Sequence, residues 1–219
     1  MRIYSPLLLL LLLVGCTSTP KAPVTHVAPA YNELNAVEAF YGVEARKRVQ
    51  AWRQLLRNNR GRAIDTRLQV SNDFFNHLKF EDDIEHWWVE DYWATPIETI
   101  ATNGGDCEDF AIGKYFTLTA LGVPDQCLRI TYVKALTVDK PHMVLTYQCN
   151  AGDEALILDS LVKSILPAED RTDLVPVYSF NAKGLWLGAQ GNNSTKLSNG
   201  GNISRWRQLL QRVDKPLKP

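Results

Sequence analysis

An excess of charge of either sign is missing from this chain: Lys and Arg number 24, and so do Asp and Glu. That balance excludes a global basic field for nucleic acid and an acidic tail for a basic partner. Cysteine is scarce too, and the four present form no CxxC pair and no His/Cys spacing of a structural zinc site. No internal repeat is present. What remains, 219 residues of which 45% are hydrophobic, fits one globular domain with a sizeable core and short tails.

The N-terminus, MRIYSPLLLLLLLVGC, has one early basic residue, a Leu-rich run too short to span a bilayer permanently, and a small residue before Cys16. It reads as an export signal over residues 1–15. Leu13 to Cys16, LVGC, resembles the bacterial lipobox, which makes Cys16 the expected lipidation site. Thr17 rather than Asp follows it, and by resemblance to sorted lipoproteins this favours the outer membrane, facing the periplasm. Residues 16–30 are rich in Thr, Pro and Ala and read as an extended tether.

Helical periodicity covers about residues 31–59, and Ser71 is expected to cap a second short helix before Phe74, Phe75 and Leu78. EDDIEHWWVEDYWATP concentrates Trp87, Trp88 and Trp93 before Pro96, a density more typical of core or interface than of chemistry. A further helix is predicted from Cys107 to Leu121, closed by Gly122. Strands are predicted over 128–136, 142–149 and 155–161, with one or two more in 176–187. Helices followed by an antiparallel sheet mean an α+β domain over residues 31–189. Residues 190–219 read as a polar linker and a C-terminal helix.

Chemistry concentrates at GGDCEDFA, Gly104 to Ala111. Cys107 in the first turn of a helix has a thiolate favoured by unpaired N–H groups and the helix dipole. A nucleophile also needs a base held by a third group. His142 opens one strand and Asp159 lies on the next. Pairing the two strands about a turn between Asn150 and Ala151 sets His142 directly opposite Asp159, on one face. Asp106, Glu108 and Asp109 work against the thiolate by like-charge repulsion. Two readings stay open for these acids: a bound cation, for which calcium suits clustered carboxylates, or acids that merely favour a helix N-terminus. Cys127 and Cys149 flank the hairpin 128–148, and a disulfide there, or two unpaired buried thiols, fits the chain.

Cysteine at a helix start, histidine on a strand and aspartate on the next match the papain and transglutaminase arrangement. DYWATP, GGDCEDFAIGKYFTL, LGVP, YVKA, HMVL, LILDSL and SFNAKGLWL, in that order, resemble the bacterial transglutaminase-like cysteine proteinases over about residues 45–190. The resemblance implies a papain/transglutaminase-like fold with Cys107 as nucleophile, His142 as base and Asp159 as orienter. It tips Asp106, Glu108 and Asp109 toward calcium. It further implies a large surface adhesin as protein substrate, cut near its N-terminus to control biofilm attachment, and a cyclic di-GMP-responsive inner-membrane receptor as partner. A lipid anchor departs from the free enzymes of that family and puts the receptor partnership in question. Acyl transfer, cell-wall peptide hydrolysis, or a non-catalytic tethered binding module are the competing readings.

Overall fold

The long N-terminal helical pattern is divided by a glycine. In this computed structural model, which describes residues 34–188, 194–198 and 203–213, helices α1 (Leu34–Tyr41) and α2 (Val43–Asn59) meet at Gly42. Its φ of 87° is a left-handed conformation that glycine adopts without strain. The export signal, Cys16 and the tether lie outside the described residues. Helix α2 buries Ala45, Val49, Trp52 and Leu56 along one stripe. Arg48 on its flank donates to the carbonyl of Ile100 at 2.9 Å.

Ser71 does not begin a helix. Helix α3 runs Ile64–Asn76, and Ser71 sits inside it, buried with Leu68 and Phe75. Residues upstream of Ser71 already carry the helical stripe, since Leu68 and Phe75 stand two turns apart on the face that meets the core. Its hydroxyl donates instead to the Lys114 carbonyl at 3.4 Å, so packing overrode the local capping signal.

The next stretch builds the approach to Cys107. Strand β1 (Lys79–Phe80) pairs in parallel with β2 (Gly104–Gly105), and between them lie α4 (Asp83–His86) and α5 (Pro96–Thr102). Helix α5 starts with Pro96 at its first turn and a reciprocal capping box between Thr95 and Glu98. Trp87 and Trp93 are buried as core residues, whereas Trp88 is 84% exposed.

Helix α6 (Cys107–Ala120) is buried along nearly its whole length. It lies at the centre of the molecule, between α3 and α5 on one side and the sheet on the other. The antiparallel sheet comprises β3 (Leu128–Ala135), β4 (Lys140–Tyr147), β5 (Leu156–Leu158), β6 (Leu166–Pro167), β7 (Leu174–Asn181), β8 (Gly184–Leu187) and β9 (Thr195–Ser198). Its order is β6-β5-β4-β3-β7-β8-β9. Helices packed against an antiparallel sheet make this an α+β domain, the class expected from the sequence.

The last helix, α7 (Ser204–Arg212), joins that core: Trp206 and Leu209 are fully buried, and Trp206 packs against Tyr115, Phe116 and Phe180. Part of the stretch read as a polar linker therefore forms β9, and the helix beyond it belongs to the domain. A disulfide joins Cys127 to Cys149 just outside the β3–β4 hairpin, and Cys107 is the free cysteine among the described residues. No helix among the described residues is long and apolar enough to cross a membrane.

Candidate active site

Cys107 is the first residue of α6, following Asp106 in the N-cap position. Gly105 precedes it because the Asp109 carboxylate folds back over that backbone: a Cβ at Gly105 would come within 2.5 Å of Asp109 Oδ2. The glycine–acid sequence is thus a steric requirement of the turn that presents the thiol.

His142 comes from the third position of β4, and its Nε2 meets Asp159 Oδ1 at 2.6 Å. Both side chains are buried. The carboxylate accepts, so Nε2 carries the donated hydrogen and Nδ1 is the nitrogen left for the sulfur side. The register differs from the expected one by two residues, because Leu145 pairs with Leu158 and Tyr147 with Leu156. This centres the turn between Ala151 and Gly152. The turn is set by Asp153, whose N–H donates to the Asn150 carbonyl at 3.1 Å and whose carboxylate accepts from Asn150 N at 3.0 Å. His142 and Asp159 are consequently diagonal neighbours across the pair, not opposites. A two-residue shift keeps both on the same face, where a one-residue slip would have separated them.

Five contacts hold Asp159. Its Oδ1 also accepts the Leu161 N–H at 3.0 Å, and its Oδ2 accepts Arg171 Nη2 at 2.7 Å. Its main-chain carbonyl accepts Lys114 Nζ and Asn76 Nδ2, each at 2.9 Å. Burial alone would raise this carboxyl, but bonds from His142, Leu161 and Arg171 and the imidazolium charge outweigh it and hold it well below the usual carboxylate range. Burial lowers Lys114 to about 7, against the opposing pull of Asp159 and Asp73.

Cys107 and His142 line one cleft of about 490 Å³, together with Glu108, Trp93, Tyr132, Met143, Tyr178 and the Asp91–Arg205 pair. The thiol donates to Glu108 Oε2 at 3.0 Å. Burial, with Glu108 and Asp106 close by, pushes the thiol well above its ordinary value, while the Met143 N–H beside the sulfur pulls the other way. The repulsion expected from the sequence is present.

The acids themselves form a tighter cluster than the sequence indicated. Carboxylate oxygens of Asp83, Asp106 and Asp109 lie within 4.8 Å of one another, and Asp106, Cys107 and Glu108 form an adjoining group. Asp83 Oδ1, Asp106 Oδ1 and Asp109 Oδ2 are buried with no hydrogen-bond partner. Tyr92 N–H donates to Asp83 and Ala94 N–H to Asp109 at 2.6 Å. Burial first and the Glu108 charge second raise Asp83 to about 7 and Asp106 to about 10, and burial followed by the Asp83 charge drives Asp109 well up. Three clustered carboxylates, each with a buried oxygen that has no partner, are what a hard divalent cation neutralises. Of the acids expected to hold a metal, Asp106 and Asp109 share this cluster, while Glu108 is turned to the thiol.

Sequence reasoning missed Asp83, Lys114 and Arg171. Asp83 lay in the acidic start of the aromatic run, where EDD offered a signal. Arg171 and Lys114 had none, since nothing local distinguishes them from solvated charges.

A family model of bacterial transglutaminase-like cysteine proteinases matches residues 42–190. No curated protein matches the chain. Among solved structures, LapG of Legionella pneumophila treated with EGTA is 42% identical with a TM-score of 0.74, covering 84% of this chain and 98% of that one. A further structure of that protein is 42% identical with a TM-score of 0.72, over 84% and 96% of the two chains. Its calcium-bound form is 41% identical with a TM-score of 0.70, over 84% and 99%. The match spans more than half of the residues, and the chain belongs to the bacterial transglutaminase-like cysteine proteinase family.

Proposed function

We propose that this cysteine proteinase is an exported, lipid-anchored endopeptidase using Cys107, His142 and Asp159, and that it cuts a large surface adhesin near its N-terminus to control biofilm attachment. The observation that carries the reading is His142 bonded to Asp159 while its ring shares one cleft with Cys107 at the start of α6. The thiolate of Cys107 attacks a peptide carbonyl, and His142 delivers a proton to the leaving amine. Water then adds to the acyl-enzyme with His142 as base, releasing the acid and restoring the thiol. The Cys107 N–H at the helix start is a donor for the developing oxyanion.

Calcium is the proposed cofactor, held by Asp83, Asp106 and Asp109 with Glu108 at their edge; it would supply the positive charge that buried acids beside a thiolate require. The calcium-bound and EGTA-treated LapG structures support that choice. Trp93 and the stacked pair Tyr132 and Tyr178, with ring centroids 5.0 Å apart, wall the cleft with rigid aromatic faces. They suit small side chains at the scissile bond. The lipobox resemblance ending at Cys16, with Thr17 after it, supports an outer-membrane position facing the periplasm, where such adhesins also sit. A cyclic di-GMP-responsive receptor is the regulator proposed with it.

The test is cleavage of a purified adhesin N-terminal fragment in calcium buffer. Wild type should cut it, and Cys107→Ala should not, while melting at the wild-type temperature. Cleavage retained by Cys107→Ala would end the reading.

A further inference from the structure

Asp159 must meet a requirement that the triad alone does not satisfy. It is 1% exposed, and an imidazole that takes and returns a proton is charged in one step and neutral in the next. If His142 were its only ionic partner, a buried carboxylate would be left uncompensated whenever the imidazole is neutral. Leaving such a charge unpaired is strongly unfavourable. The pair would then resist one of its two protonation states.

Arg171 removes that conflict. Its side chain is 3% exposed, and Nη2 reaches Asp159 Oδ2 at 2.7 Å. A guanidinium stays protonated throughout, so the carboxylate keeps a countercharge in both states of the imidazole. Arg171 is itself fixed through Asp173, with Nε to Oδ1 and Nη2 to Oδ2 both at 2.9 Å. The Asp159 main chain is held independently by Lys114 and Asn76. What the guanidinium adds is therefore the side-chain torsion: with Oδ2 occupied, Oδ1 is the oxygen turned to His142 and the Leu161 N–H.

We propose that Arg171 is a positioning residue of the triad, which locks the Asp159 carboxylate with Oδ1 on the imidazole and keeps it anionic while His142 changes charge. This rests on the proposed use of Cys107, His142 and Asp159. Two readouts keep its failure separate from theirs: turnover of the adhesin fragment, and the downfield proton resonance of the His142 N–H bonded to a carboxylate, which needs no substrate.

The experiment compares the full chain in calcium buffer with Arg171→Met and Arg171→Lys. Arg171→Met should lower kcat by about tenfold or more, a fraction of the effect of a positioned base, with KM unchanged. It should also lose or shift the downfield resonance. Arg171→Lys, which restores the charge without the fork, should recover part of both. Wild-type kcat and resonance in Arg171→Met would overturn the proposal. So would a loss of turnover that follows a fallen melting temperature while the resonance stays in place. Should Arg171→Met not fold, Arg171→Gln, with a donor but no charge, supplies the same comparison. Absence of cleavage by wild type with the resonance still dependent on Arg171 would count against the proposed substrate, not against this role.

Discussion

The Cys107 thiol donates to the Glu108 carboxylate at 3.0 Å, so the proposed nucleophile is hydrogen-bonded to an acid. Burial comes first and Glu108 second among the causes that raise the thiol. Glu108→Gln removes one of the opposing charges and keeps the shape, so thiolate should form at lower pH. Iodoacetamide labelling of Cys107 against pH, in chelator, checks this. The curve should move to lower pH, and a shift the other way would mean that the carboxylate favours the thiolate.

Asp83 and Asp106 give stability a pH slope of unusual sign. Their carboxyls rise from 3.8 to about 7 and about 10 by burial first and neighbouring acids second. The folded chain thus holds these protons more tightly than the unfolded one. That stability is complete below the unfolded value and is lost as pH rises through the folded values. In chelator the melting temperature should fall as pH rises from about 4 to about 10, most steeply below about 7 where both groups contribute. Saturating calcium should reverse the trend and raise melting by roughly 5–10 °C at neutral pH. Calorimetry with and without the ion reads both.

Asp83 separates the cluster seen in the fold from the one read in the sequence. Asp83→Asn keeps the side-chain volume and removes one of three carboxylates whose oxygens lie within 4.8 Å of one another. Most of the calcium-induced rise in melting temperature should disappear, while Glu108→Gln should keep more of it. The reverse order would return the site to the acids adjoining Cys107.

The reason Asp83 escaped notice is instructive. GGDCEDFA was legible because its chemistry is local: glycines for a tight approach and acids in a helix's first turn act within a few residues. Asp83 joins them only because the β1–β2 pairing and α4 carry it back to the start of α6. The match of His142 with Asp159 survived an incorrect register because strand side chains repeat every two residues, and the error was two. Arg171 had no such protection, since its contact depends on the course of the chain between β6 and β7. Ser71 misled because capping propensity is worth about 1 kcal/mol, less than the burial of Leu68 and Phe75 on the same helix.

Gly113 lies inside α6, where alanine would ordinarily stabilise a helix by about 1 kcal/mol. Here the sign should invert. A Cβ at Gly113 would overlap the ring of Phe75, which is fully buried and has no room to withdraw. Overpacking of this kind costs about 1–3 kcal/mol. Gly113→Ala should therefore melt lower by roughly 3–8 °C; an increase would mean that α3 and α6 separate easily.

Arg212 on α7 ties the C-terminal helix to the acid cluster through one short segment. Its guanidinium donates to the Trp93 carbonyl, the Tyr92 hydroxyl and Glu98 Oε2, the last at 3.0 Å, and lies 4.7 Å over the Tyr92 ring. The N–H groups of Tyr92 and Ala94, on either side of Trp93, donate to Asp83 and Asp109. Releasing that segment should blur the placement of two of the three clustered carboxylates, although Arg212 touches none of them. Trp206 and Leu209 anchor α7 independently, so Arg212→Ala should leave most of the fold in place. Calcium affinity, read by calorimetric titration, should weaken by roughly tenfold, as when groups that orient ligands are removed. An unchanged affinity beside a clear loss of melting temperature would make Arg212 a fastening of the helix alone.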